Sequence, residues 1–146
     1  MSKSNKAIVL RLMEECLNQH NLDIYPQFYS EDFVHHSPAL GELRGKEHSQ
    51  SLATLFAAFP DSRWTVVDQI AEGDKVATRW SLNATHNGTF MGIAPTDNQV
   101  KSGGISIDRI VDGKIVEEWE EWDTLGMMQQ LGVVAVETSA GDMVAP

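Results

Sequence analysis

The chain has 146 residues, 42% of them apolar and 22% charged, the proportions of one globular domain able to bury a core. Twenty-one acidic residues against 11 basic ones give a formal charge of −10. That balance argues against nucleic acid or an anionic membrane as a partner, since both need a basic surface. A single cysteine, Cys16, excludes an intrachain disulfide, and no apolar run approaches the roughly 20 residues of a membrane span.

The first six residues are polar and lack the apolar centre of a signal peptide, so a cytoplasmic protein is the expectation. Ile8, Val9, Leu12, Met13, Cys16 and Leu17 recur at helical spacing and predict a helix over 5–20. A short second helix is predicted over 22–29, then an extended stretch over 31–36 that Ser37-Pro38 ends. Residues 41–45 read as a loop. Leu52, Leu55, Phe56 and Phe59 share one face of a helix over 46–59, which Pro60-Asp61 stops.

From here the apolar period changes from about 3.6 to 2. Strands are predicted over 63–71 and 75–85, joined at Glu72-Gly73-Asp74. A loop holds Pro95, Asp97 and Asn98. Long strands follow over 99–111 and 114–122, joined by Asp112-Gly113, a strong hairpin turn. Gly103-Gly104 inside the third long strand predicts a bulge or sharp bend. A terminal helix is predicted over 123–131, capped by Gly132. The domain is read as 1–136 and a loose tail as 137–146.

Helices followed by hairpin-linked strands make an α+β order. The expected fold is a curved antiparallel sheet wrapped around the N-terminal helices, a cone with one internal pocket.

Strand alternation in 112–123 puts Ile115, Glu117, Trp119, Glu121 and Asp123 on one face and Val116, Glu118, Glu120 and Trp122 on the other. One of these faces must cover the core, so at least one acid is shielded from water. Burial beside rings and other acids raises a carboxyl pKa, as a general acid or base requires. The same stretch also fits a solvated acidic edge.

His35 and His36 are adjacent, so only one can reach a pocket. They do not fit a shared metal ion, and no metal site is expected. His86 falls at the end of the face formed by Val76, Thr78, Trp80, Leu82 and Ala84, at a pocket rim or in a solvated turn. Trp64, Trp80, Met91 and Trp119 fit either a ligand wall or a core. Phosphate loops, dinucleotide fingerprints and nucleophile elbows are absent, which leaves proton transfer or binding.

Phe59-Pro60-Asp61, the run Glu72 to Arg79, Thr85-His86-Asn87-Gly88-Thr89-Phe90, Gly113 to Trp119, Trp122-Asp123 and Gln130-Leu131-Gly132 together resemble the SnoaL-like polyketide cyclases. The resemblance spans about 6–132. It implies the cone-shaped fold shared with ketosteroid isomerase, a homodimer or homotetramer built on the sheet, and aldol ring closure without metal or cofactor. It implies an acid/base at Asp123 and a second site position at Arg109, where those cyclases carry histidine. The expected ligand is a hydrophobic small molecule. Asp123 would remove a proton beside a carbonyl, with His86, His36 or Arg109 steadying the oxyanion. Two other readings stay open: a non-catalytic binding protein, and a hydrolase or dehydratase of the same fold.

Overall fold

The computed structural model describes residues 2–135. Helix α1 (Ser2–Arg11) runs into a π-helical turn over Leu12–Leu17, where Asn18 N–H donates to the Met13 carbonyl at 2.8 Å. The Asn18 side chain then binds both backbone groups of Trp64, accepting from its N–H at 2.7 Å and donating to its carbonyl at 3.0 Å. This fastens the end of the first helix to the sheet. The expected second helix divides into a 3₁₀ turn (Leu22–Ile24) and α2 (Tyr25–Phe28), and Tyr29 already belongs to a strand.

The strands are β1 (Tyr29–Ser37), β2 (Gly41–Arg44), β3 (Arg63–Glu72), β4 (Lys75–Thr85), β5 (Gln99–Val111) and β6 (Lys114–Trp122). Helix α3 (Gly45–Ala58) lies between β2 and β3, and α4 (Thr124–Gln130) follows β6. They form one curved, unclosed sheet in the order β2-β1-β6-β5-β4-β3. All pairs are antiparallel except β1 and β6, which run parallel. The segment read as a loop, Gly41–Arg44, is β2: it folds back on β1 with Ser37 opposite Gly41 and Val34 opposite Arg44. Four residues are too few to display a period.

The inner face of the sheet packs on the helices. Val9, Leu12, Phe28, Phe33, Trp64, Trp80 and Ile115 form the larger core cluster. Phe59, Ala84, Phe90, Val100, Met127 and Leu131 form a second. Together they are the usual apolar drive for an α+β layer pair.

Gly103 and Gly104 do not form a bulge. The β4–β5 register runs through them, with Ser81 opposite Gly103 and Trp80 opposite Gly104. A Cβ on Gly104 would lie 2.5 Å from the Glu121 carbonyl oxygen and 2.6 Å from the Trp80 ring, so the glycine makes room for the indole. The register shifts fall instead between Val66 and Asp68, and between Arg109 and Ile110. The second shift brings Ile115 to the inner face, where Glu118 is also buried. No helix among the described residues is long and apolar enough to cross a membrane. The expected tail, 137–146, lies outside the described residues.

Candidate functional site

A cavity of about 350 Å³ opens between the helices and the inner face of the sheet. Its walls are mainly apolar: Leu12 and Met13 from the π turn, Leu52 and Leu55 from α3, Trp64, Trp80 and Trp122 from the sheet. Phe90 and Met91 line it from the β4–β5 loop, where Met91 adopts φ +50°. Its polar lining comes from strand alternation. Thr78 projects from β4, Ser102, Ser106 and Asp108 from β5, Glu118 and Glu120 from β6, His35 from β1 and His48 from α3. No lysine or arginine is among the lining residues.

Acids, histidines and tyrosines meet at one end. His35 Nε2 stands 3.4 Å from Glu118 Oε1 and 3.4 Å from Glu120 Oε1. Ser106 Oγ accepts from Trp80 Nε1 at 3.0 Å and donates to Glu120 Oε2 at 3.3 Å. The His35 ring stacks on His48, centroids 4.8 Å apart. His48 Nδ1 is 2.9 Å from the Tyr25 hydroxyl, which donates to the Gly45 carbonyl at 3.2 Å. Both contacts are satisfied at once when His48 Nδ1 carries the proton.

Burial governs the charges. It pushes Asp108 up to about 6 and Glu118 well above the usual carboxylate range; the charge on Asp108 raises Glu118 further. Glu118 therefore holds the proton of the pair and donates it to Asp108. Burial pushes His48 down to about 3, and His35 beside it acts in the same direction, so His48 is neutral. Burial also raises the Tyr25 and Tyr29 hydroxyls, with Glu118 adding to both. Glu120 differs from the pair: all three acids line the cavity, but its side chain keeps 22% exposure while Asp108 and Glu118 are buried.

The residues singled out from sequence divide into three groups. Trp64, Trp80 and Met91 line the cavity. His36, Arg109 and Trp119 stand on the opposite face of the sheet. There His36 Nε2 is 2.7 Å from Glu117, Arg109 is 3.3 Å from the same carboxylate, and the His36 ring stacks on Trp119. The facing is set by β5, where Asp108 points in and its neighbour Arg109 points out.

The third group lies away from the acids. Asp123 is exposed just beyond β6, and its carboxylate accepts from Gly126 N–H at 2.9 Å as the N-cap of α4. This corrects its expected place in an apolar pocket. The strand ends at Trp122, and the carboxylate is taken up by the helix that follows. His86 is fully buried but belongs to the base of the β4–β5 loop, with Nδ1 3.0 Å from Thr96 Oγ1 and its ring against Phe59.

The cavity acids were within reach of the sequence, because Glu118, Glu120 and Trp122 alternate on the face opposite Asp123. Alternation from Val100 through Ser102 and Ser106 to Asp108 signals the same face of β5. His48 offers no comparable signal, since one histidine on a helix is usually a packing residue.

Three of the grouped side chains, His35, His48 and Glu118, have ligating atoms within 4.8 Å of one another. As they stand they serve the hydrogen bonds above: His35 Nε2 faces two carboxyl groups, and Glu118 retains its proton.

Comparison with known proteins gives this arrangement a context. The profile of the SnoaL-like polyketide cyclases matches residues 7–131. The aklanonic acid methyl ester cyclase DnrD of Streptomyces peucetius is 27% identical over 136 residues, covering 88% of this chain and 92% of its own. AclR, a proposed hydroxylase of Streptomyces galilaeus, superposes with a TM-score of 0.83 at 32% identity, over 92% of this chain and 99% of its own. IdmH, a proposed polyketide cyclase of Streptomyces antibioticus, does so with a TM-score of 0.78 at 30% identity, over 88% and 99%. A sheet folded over helices around an acid-based cavity, matched by this profile over nearly all the described residues, places the chain in the SnoaL-like polyketide cyclase family.

Proposed function

We propose that the chain is an acid/base catalyst that removes a proton beside a carbonyl of a hydrophobic small molecule, followed by aldol closure or isomerisation within the bound molecule. The observation that carries this reading is the position of Glu120. Its carboxylate opens to a mainly apolar cavity and is held between Ser106 Oγ and His35 Nε2. The base role expected of Asp123 passes to Glu120, because a carboxylate occupied as a helix cap on the surface meets no ligand in the cavity.

In the reaction a C–H beside the carbonyl gives its proton to a Glu120 oxygen. The enolate then attacks a second carbonyl of the same molecule, or takes a proton at another carbon. The apolar walls orient the reacting carbons, and orientation alone contributes several kcal/mol in well-aligned cases. The lining holds three carboxyl groups and neither lysine nor arginine, which favours a ligand without carboxylate groups.

The test is exchange of α-protons of an aromatic ketone, 2-tetralone, in deuterated water, followed by proton NMR. The intact protein is expected to accelerate exchange. Glu120→Gln is expected to slow it by about 10²–10⁴-fold, the usual worth of a positioned base. Equal exchange by both proteins sinks the assignment. Binding of the ketone without any exchange favours a non-catalytic pocket protein.

A further inference from the structure

One base needs one carboxylate, yet this cavity has three at one end. Resting on the reading of Glu120 as the base, Asp108 and Glu118 are left without a part. Both are interior, with 1% and 7% of their surface exposed. A single nitrogen joins Glu118 to the base: His35 Nε2 is 3.4 Å from an oxygen of Glu118 and 3.4 Å from an oxygen of Glu120. One N–H thus faces two carboxyl groups from different sides. Asp108 Oδ1 has no hydrogen-bond partner and is free to take up a second proton.

We infer that the buried Asp108–Glu118 pair, acting through His35, sets the proton affinity of Glu120. The pair consists of positioning residues, and it reaches the ligand through Glu120. While the pair keeps one negative charge, a second charge on Glu120 is disfavoured, so Glu120 takes a proton from the ligand readily. When the pair takes a second proton, the His35 N–H turns to the Glu120 carboxylate and stabilises it as an anion. The proton states of the pair and the base therefore alternate, and each titrates in steps that belong to the whole group.

The groups facing this network come from every packed element. They are Cys16 of the π turn, Tyr25 of α2, Tyr29 and His35 of β1, His48 of α3, Asp108 of β5, and Glu118 and Glu120 of β6. Burial holds the Cys16 thiol at about 11 and keeps both tyrosine hydroxyls neutral, and His48 is neutral as well. The charge that varies is carried by the Asp108–Glu118 pair.

The experiment is a carboxyl-carbon NMR titration of the full chain labelled at glutamate, with Glu120→Gln to assign the signal. The unaltered protein is expected to show Glu120 titrating in two steps. Asp108→Asn removes a negative charge from the pair, and should leave one step with its midpoint at least one pH unit lower. Glu118→Gln leaves Asp108 as the titrating partner without the proton Glu118 held for it, and should move the Glu120 curve while keeping two steps. Glu117→Gln, on the outer face, should leave the Glu120 curve unchanged.

A single-step curve in the unaltered protein overturns the inference, and that measurement needs no variant to fold. So does a Glu120 curve that Asp108→Asn and Glu118→Gln leave in place, or that Glu117→Gln moves as far. Ketone exchange that survives Glu120→Gln would sink the base assignment while leaving this coupling intact, so the two failures are distinguishable.

Discussion

Single side chains in this protein are governed by whether water reaches them. His48 is packed among Tyr25, Tyr29, Phe33 and His35 and is held neutral, down to about 3. The folded state binds fewer protons at His48 than the unfolded chain does. Its contribution is therefore complete above the ordinary histidine range and is lost as pH falls from about 6.5 toward 3. Asp108 has the opposite sign. Burial raises it to about 6, so the folded state binds more protons there, and stability falls as pH rises from about 4 to 6. Each slope is about 1.4 kcal/mol per pH unit for one proton. Between about pH 4 and 6 they offset each other. Chemical denaturation across this range should show a steeper acid loss in Asp108→Asn than in the unaltered protein. His48→Gln should instead gain stability on acidification relative to it. Equal pH dependence in all three would refute the burial argument.

At the scale of elements, short contacts replace periodicity as the deciding factor. Gly104 sits opposite Trp80, with the indole where a Cβ would be and the Glu121 carbonyl on the other side. Gly104→Ala must displace backbone, and overpacking of this kind costs about 1–3 kcal/mol. Thermal unfolding should show the loss. Because the indole also donates to Ser106, which holds Glu120, ketone exchange should fall with it. Asp123 supplies a contrast. Asp123→Ala removes the cap of α4 and should cost about 1 kcal/mol, yet leave ketone exchange within about twofold of the unaltered protein. A loss of exchange as large as that of Glu120→Gln would return the base role to Asp123. The β-hairpins from 63 to 122 were legible because alternation and turn residues agreed over long strands. β2 was not, because four residues are too few to display a period, and the parallel pairing of β1 with β6 was not, because partners far apart in sequence leave no local trace.

For the whole molecule, the outer face of the sheet carries a row that crosses the strands: Ile70 opposite Ala77, Ala77 opposite Ile107, Ile107 opposite Trp119, and Trp119 opposite His36. Ile70 is 73% exposed and Ile107 39%. Charges of both signs border it, including the Asp68–Arg79 and Arg109–Glu117 pairs. A face with an apolar row and both charge signs can pair with itself, and the family resemblance implies a homodimer or homotetramer on the sheet. We expect a second copy of the chain to cover it. Sedimentation should show an assembly larger than one chain, and Ile107→Lys should shift it toward the monomer while the far-side cavity keeps its ligand affinity. A monomer at all concentrations would refute the expectation.

What the sequence determined by itself was the fold class and the supply of chemistry. A period of 3.6 followed by one of 2 built helices against a sheet, and alternation along 112–123 sorted its acids onto two faces. Which face became the site was decided only in three dimensions. A one-residue shift between Arg109 and Ile110 set which side chains of β6 join the interior. Helix α4 then drew Asp123 into a cap at the surface. The same closure brought His35, His48, Asp108, Glu118 and Glu120, from four separate elements, around one cavity. A proton site depends on distances of 3–4 Å between residues remote along the chain, and on water being kept from them. Local pattern carries neither quantity.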